Sequence, residues 1–236
     1  MPRNAKKSRG EWKTFGTVFD DFTRRTLHKL SGQGHFEELK SPVSVGKESN
    51  VFSAVKENAK VIVKIYRLET CDFNRMYDYI KYDPRFRVKR AKRQVIFSWV
   101  QREFRNLHLA REAGVRVPAP FAFSNNVLVE ELIGDSSAAP KLKDLMPKNP
   151  QKFFDEVIEN IKKLYKAGLV HGDLSQFNIL NYNDRPVFID FSTCTSIIDP
   201  RALEHLERDV KNICNFFKKL DLEKDEKEIL STILKK

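Results

Sequence analysis

The sequence predicts an α+β protein of two unequal parts, a strand-rich first half followed by a helical second half. Three observations carry that expectation. Runs rich in Val, Ile and Phe, bounded by turn formers, cluster before Gly134. After it, apolar residues recur at helical spacing. The polar break GDSSAAP, from Gly134 to Pro140, separates the two regimes and reads as a hinge.

With 236 residues, 41% hydrophobic and 32% charged, the chain is long enough to bury a substantial core and too apolar to be a disordered tail. No run of eighteen apolar residues occurs and the basic start lacks an apolar signal core, so neither membrane insertion nor secretion is expected. Cys71, Cys194 and Cys214 are odd in number and far apart, which argues against a disulfide framework and a zinc site and for a reducing intracellular setting.

In chain order, residues 1–40 form a basic extension, with Arg3, Lys6, Lys7 and Arg9 in its leader and a helix expected over 15–30. Residues 41–133 form the strand-rich part. Within it, SPVSVGKESNVFSAV and AKVIVKIYRL read as two strands joined by the polar turn KENAK. A helix is expected over 94–113, stopped by Gly114 ahead of Pro118 and Pro120. NNVLVEELIG then reads as an apolar strand. Residues 134–236 are expected to be mostly helical, with helices over 150–167 and 199–219 and the loop HGDLSQFN between them.

Two charges stand where charges are unfavourable. In the helix, Ile96, Trp99, Val100, Leu107 and Ala110 share one face, and Glu103 falls near the middle of that stripe. A carboxylate aimed into an apolar face needs a partner. Lys64 interrupts the strand VIVKIY on the face of Ile62 and Tyr66. One buried ion pair between Lys64 and Glu103 would satisfy both and hold an ammonium group ready for phosphate oxygens.

The loop supplies the complementary groups. Magnesium takes oxygen ligands from carboxylates and amides, and phosphoryl transfer needs a further carboxylate to receive a hydrogen bond from the attacking hydroxyl or water. Asp173 in HGD suits the second task. Asn178, and Asp190 in VFIDFS, suit the first.

LVHGDLSQFNIL followed by VFIDFS resembles the catalytic and metal-binding loops of the protein-kinase-like superfamily, and SVGKESNVF with VKIY resembles its nucleotide loop and lysine strand. One glycine, Gly46, stands where ordinary protein kinases have three. Ser192 stands where their metal motif has glycine, and HGD replaces His-Arg-Asp. GKESNVF, DPRFR, WVQREFRNL, AGVRVPAP, NVLVEELIG and FSTCTSIIDPRALEHLERDVKNICNFF together resemble the RIO family, type-1 branch.

The resemblance implies a compact bilobal kinase fold: an N-lobe over 41–133 and a reduced C-lobe over 134–236 without an activation segment, since only about ten residues separate Asp190 from the next helix. It implies ATP and magnesium as cofactors. Lys64, Glu103, Gly46, Ser49 and the backbone at Glu131 and Ile133 would bind ATP, Asp173 would be catalytic, and Asn178 and Asp190 would hold the metal. Asp190 would also be catalytic, as a phosphoryl acceptor. It further implies a serine/threonine kinase that is also an ATP hydrolase, acting on the small ribosomal subunit precursor and its rRNA, with no role for DNA. Aminoglycoside-type small-molecule phosphotransferases share the HGDxxxxN pattern, but their helical lobe carries long insertions, and here about thirty-five residues separate Gly134 from Leu169. A catalytically silent assembly scaffold is the other alternative, opposed by the presence of all five polar residues.

Residues 81–93 (KYDPRFRVKRAKR) hold seven Lys or Arg against one Asp. With Pro84 and interleaved Tyr82 and Phe86, they read as a mobile loop suited to RNA phosphates and bases. His28, His35, His108 and His205 lack metal-ligand spacing. His171 reads as a brace for its loop, Phe216 and Phe217 as core, and Asp209 as a possible partner of the loop.

Overall fold

Asp20 opens the first helix, α1 (Asp21–Gly32), by accepting the Thr23 amide on its side chain, a standard N-cap. The computed structural model describes residues 19–57, 59–135 and 137–235. The basic leader and the first residues of the helix expected over 15–30 lie outside them.

The strand-rich part is a five-stranded antiparallel sheet of β1 (Glu38–Val45), β2 (Ser49–Lys56), β3 (Ala59–Tyr66), β4 (Pro120–Ser124) and β5 (Val127–Glu131), in the order β1-β2-β3-β5-β4. The expectation of one strand over SPVSVGKESNVFSAV is corrected. Gly46–Glu48 is itself a turn, so that stretch is a hairpin of β1 and β2. The outer strand β1 is mostly exposed, and Val45 is 70% exposed, so its apolar residues do not mark a buried run. β4 is a further strand that the sequence pattern hides, because Pro118 and Pro120 look like loop; Pro120 is tolerated at the first residue of an edge strand.

Strand alternation divides the two cores. Val127 and Val129 face α1 in one cluster with Leu27, Leu30, Val63 and Ile65. Leu128, between them, faces the larger cluster built on the helices. Two of those are α2 (Phe73–Ile80), capped by Asp72, and α3 (Lys92–Glu112), which ends ahead of Gly114 at φ +75 as expected. Gly134 marks the end of the sheet at φ +143, where a Cβ would collide with the Ser137 carbonyl.

The second part contains α4 (Pro150–Lys166), α5 (Ala202–Lys218) and α6 (Glu226–Leu234), all packed into the same core. α5 starts later than the expected residue 199, because the Asp199 carboxylate binds the amide and guanidinium of Arg201 in the preceding turn. This part is not purely helical. β6 (Leu169–Val170) pairs with β9 (Thr195–Ser196), and β7 (Ile179–Tyr182) pairs with β8 (Arg185–Phe188). Asn183 and Asp184 turn the second hairpin with φ of 55° and 61°, the geometry a two-residue hairpin needs. These ladders hold the two ends of the polar loop in place. Cys71, Cys194 and Cys214 are buried and unpaired, and among the described residues no helix is long and apolar enough to cross a membrane.

Candidate active site

Lys64 and Glu103 form the expected buried pair. β3 carries Lys64 opposite Leu128 of β5, on the side of the sheet that faces α3, and α3 presents Glu103 from its apolar face. Lys64 Nζ lies 2.7 Å from Glu103 Oε1, with the two residues 6% and 1% exposed. The other oxygen, Oε2, accepts the Tyr66 hydroxyl at 2.5 Å. Both oxygens of the buried carboxylate are therefore satisfied.

Lys64 has a second partner. Its ammonium donates to Asp190 Oδ1 at 2.9 Å, and the Ser192 hydroxyl donates to the same oxygen at 2.7 Å. Asp190 adopts φ +63, a left-handed conformation that non-glycine residues seldom take and that the surroundings must hold. Burial alone would raise its pKa, but the Lys64 ammonium and the Ser192 hydroxyl hold the carboxyl well below the usual range. Burial alone would likewise lower that of Lys64, and the Asp190 and Glu103 carboxylates override it and keep the amine protonated. The trio is thus a charged cluster, with Asp190 as its solvent-facing member at 41% side-chain exposure.

The loop from His171 to Asn178 lies beside it. Asn178 Nδ2 donates to the Asp173 carbonyl at 2.8 Å and to Asp173 Oδ2 at 3.1 Å, which leaves the Asn178 side-chain oxygen for another ligand. The Ile189 amide donates to the Asn178 carbonyl at 3.0 Å, so backbone bonding sets Asp190 next to the loop. His171 braces the same junction, its Nε2 lying 3.1 Å from the Ile189 carbonyl. Burial pushes this imidazole down to about 4. Burial, reinforced by the charge of Asp190, raises Asp173 above an ordinary aspartate.

Asp209 of α5 anchors the loop from behind. Its two oxygens accept the amides of Gly172 and Leu174, each at 2.8 Å, and burial pushes the carboxyl up to about 7 against those bonds. Gly172 has φ +79, and a Cβ there would meet the Thr193 carbonyl at 3.0 Å, so this HGD requires its glycine.

Gly46 and Ser49 sit at the β1–β2 turn, where the Gly46 amide donates to the Ser49 carbonyl at 2.9 Å. The turn is tied down by the chain after β3: Thr70 Oγ1 donates to the Lys47 carbonyl at 2.7 Å and Cys71 Sγ to that of Glu48 at 3.0 Å. Glu131 ends β5 and Ile133 lies just beyond it. Glu131 gives its amide to Ala119, and the Ile133 carbonyl accepts from Ala139. Lys64, Glu103 and Asp190 are in direct contact, as are Asp173 and Asn178; no hydrogen bond or ion pair ties Gly46, Ser49, Glu131 or Ile133 to either set.

A second polar network is not visible in the sequence pattern. Arg102, fully buried, donates to the Ser192 carbonyl at 2.8 Å and to Asp83 Oδ2 at 3.2 Å. Asn106, one turn on, donates to the Cys194 carbonyl at 2.8 Å and accepts from Arg85 at 2.7 Å. Arg85 also grips Asp83 with two bonds, of 2.8 and 2.6 Å. The metal-type loop around Asp190 is therefore fastened to α3 on the side away from Glu103. In the sequence its one trace is Asp83, the single acid among seven bases in residues 81–93, which does not say which base it meets.

The same bonds correct the picture of residues 81–93 as a mobile loop. Arg85 is engaged in the interior, and Phe86 packs partly buried against the core with Arg85 and Arg105 over its ring. Arg90 bonds to Asn74, Lys92 to the Glu69 carbonyl, and Arg93 lies over Phe22. Tyr82 is the exposed aromatic of the stretch.

A family model for the RIO domain matches residues 50–229. The RIO-type serine/threonine-protein kinase Rio1 of Haloferax volcanii is 42% identical over 222 residues, covering 93% of this chain and 77% of that protein. Rio1 of Methanocaldococcus jannaschii is 43% identical over 224 residues, covering 94% and 77%. Among solved structures, the Rio2 kinase-ADP/Mg2+-phosphoaspartate complex from Chaetomium thermophilum superposes with a TM-score of 0.69 at 25% identity, over 89% of this chain and 66% of that one.

Proposed function

The chain belongs to the RIO family, as a serine/threonine kinase of its Rio1 branch, and from that premise we propose that it is a magnesium-dependent ATPase as well as a kinase, acting on the small ribosomal subunit precursor in the cytoplasm. The observation that carries the catalytic part is the Lys64 ammonium bonded at once to Glu103 and Asp190. A charge fixed in that way is preorganised for phosphate oxygens without reorganising when they arrive.

In this reading Asp190, ionised and solvent-facing, and the free side-chain oxygen of Asn178 hold the magnesium, which neutralises phosphate charge when bound. Few protein ligands suit that ion, because it keeps waters and takes phosphate oxygens. Gly46 and Ser49 lie over the phosphates. The Glu131 carbonyl and the Ile133 amide, the groups not engaged with Ala119 and Ala139, serve adenine. Asp173 accepts a hydrogen bond from the attacking hydroxyl or water and takes its proton, which the raised pKa favours.

Asp190 also serves as a phosphoryl acceptor. Its carboxylate oxygen bonds to the γ-phosphorus while the bond to the β–γ bridging oxygen breaks and ADP leaves, and water then hydrolyses the acyl phosphate. The phosphoaspartate of the Chaetomium thermophilum Rio2 complex supports this reading. So does the short span between Asp190 and α5, which offers no platform for a peptide. Hydroxylamine cleaves an acyl phosphate and spares a phosphoserine ester. Label from γ-labelled ATP that survives hydroxylamine would remove Asp190 as acceptor.

The test of the whole reading is magnesium-dependent ATP turnover with and without purified small ribosomal subunits. Acceleration by the particles is expected. Turnover that responds to small hydroxylated acceptors instead would favour the small-molecule phosphotransferase, and absence of any turnover would favour a silent scaffold.

A further inference from the structure

The two oxygens of the Asp190 carboxylate are not equivalent. Oδ1 accepts the Lys64 ammonium at 2.9 Å and the Ser192 hydroxyl at 2.7 Å, whereas Oδ2 accepts no hydrogen bond among the described residues. The open oxygen is therefore Oδ2. Lys64 divides its ammonium between Asp190 and Glu103, but the Ser192 hydroxyl bonds to Asp190 alone among the described residues. It is also held in place. Ser192 is buried, its carbonyl accepts Arg102 at 2.8 Å, and Phe191 beside it is fully enclosed in the core. A glycine here, as in the metal motif of ordinary protein kinases, offers no such donor.

When Asp190 takes a phosphoryl group through Oδ2, Oδ1 becomes the carbonyl of the acyl phosphate and keeps its two donors. We propose that Ser192 sets the lifetime of that acyl phosphate by stabilising the carboxylate as it leaves. This rests on the reading of Asp190 as a phosphoryl acceptor. In the hydrolysis a water oxygen bonds to phosphorus and the bond from phosphorus to Oδ2 breaks, its electron pair passing to the carboxylate. One proton of the water goes to solvent, and orthophosphate departs. The charge that arrives on the carboxylate spreads over both oxygens, so the hydroxyl on Oδ1 is bonded more strongly in the transition state than in the neutral acyl carbonyl. A charged acceptor roughly doubles the strength of such a bond. Ser192 thereby speeds release of the phosphoryl group.

The test is the decay of isolated phosphoprotein. The full chain and its Ser192→Ala and Ser192→Thr variants are labelled with γ-labelled ATP and magnesium, freed of nucleotide and metal, and followed for loss of hydroxylamine-sensitive label, with melting of the same samples alongside. Ser192→Ala is expected to hold its label about five- to tenfold longer than the parent, and Ser192→Thr, which keeps the hydroxyl, to stay within about twofold of it. The sign of the change separates the proposal from simple damage, because a loosened loop admits water and sheds label faster. Equal or faster decay in Ser192→Ala, or decay of Ser192→Thr as slow as that of Ser192→Ala, would overturn the role of the Ser192 hydroxyl and leave Asp190 standing as acceptor. Absence of hydroxylamine-sensitive label from all three chains would overturn the acceptor reading itself.

Discussion

Arg102 and Glu103 are neighbours in α3 and both are buried, yet they serve opposite ends. Glu103 looks into the cleft, where its partner Lys64 keeps one bond for Asp190, and Asp190 stays open to solvent. Arg102 looks the other way and is enclosed with Asp83, Arg85, Asn106 and the carbonyl of Ser192. One cluster retains charge that faces solvent; the other uses its charge to hold the loop that carries Asp190. A single helix thus both sets the reactive charges and fixes the loop opposite them. The two faces should fail differently when cut, the first in activity and the second in stability.

The largest effect is expected on the cleft side. Asp173→Asn keeps the shape of the loop and its contact with Asn178 but cannot take a proton, so ATP turnover should fall by about 10²–10³-fold with the melting temperature nearly unchanged. A fall in melting temperature matching the loss of turnover would merge the two faces into one.

Next in size is Arg102→Met. Removing the guanidinium leaves the buried Asp83 short of a partner and the Ser192 carbonyl without its donor, and should cost about 3–5 kcal/mol in urea unfolding. Asp83→Asn in the same chain should restore part of that loss. Additive losses in the double variant would show that the two residues are not coupled.

The pH dependence sharpens the junction between the faces. The folded value of His171, about 4, lies below the ordinary value of 6.5, so the neutral ring is favoured in the folded state. Its contribution is fully present above pH 6.5 and is lost as pH falls from there through 4. That amounts to about 3 kcal/mol across the window. His171→Asn should flatten this part of the stability curve, and equal slopes in parent and variant would dismiss the brace.

The smallest effect concerns residues 81–93. With Arg85 engaged in the interior and Lys81, Arg90, Lys92 and Arg93 each taken up by a surface bond or ring contact, Arg87 and Lys89 are the cations of the stretch left for an external phosphate. Arg87→Ser with Lys89→Ser should lower the slope of log affinity against log salt for small-subunit RNA by about one unit for each phosphate released. ATP affinity should not change. An unaltered slope would shift attention to the basic leader.

The cleft face is legible in the sequence because its members break a pattern. Glu103 interrupts a helical apolar stripe and Lys64 interrupts a strand, so each asks for a partner, and the structure supplies one for the other. The structural face is illegible for the converse reason. Arg102 sits in a basic region and looks like one more solvated cation, and nothing local says that Asp83, nineteen residues earlier, waits for it. Short pieces are hidden in a similar way: β6, β7, β8 and β9 are two to four residues long and exist through tertiary pairing, not propensity.

The most direct measurement is magnesium-dependent ATP turnover of Lys64→Ala and Asp190→Asn beside thermal melting of the same samples. Turnover lost in both, from chains that still melt cooperatively, is the predicted result. Parental turnover in both variants would contradict the assignment of the cleft.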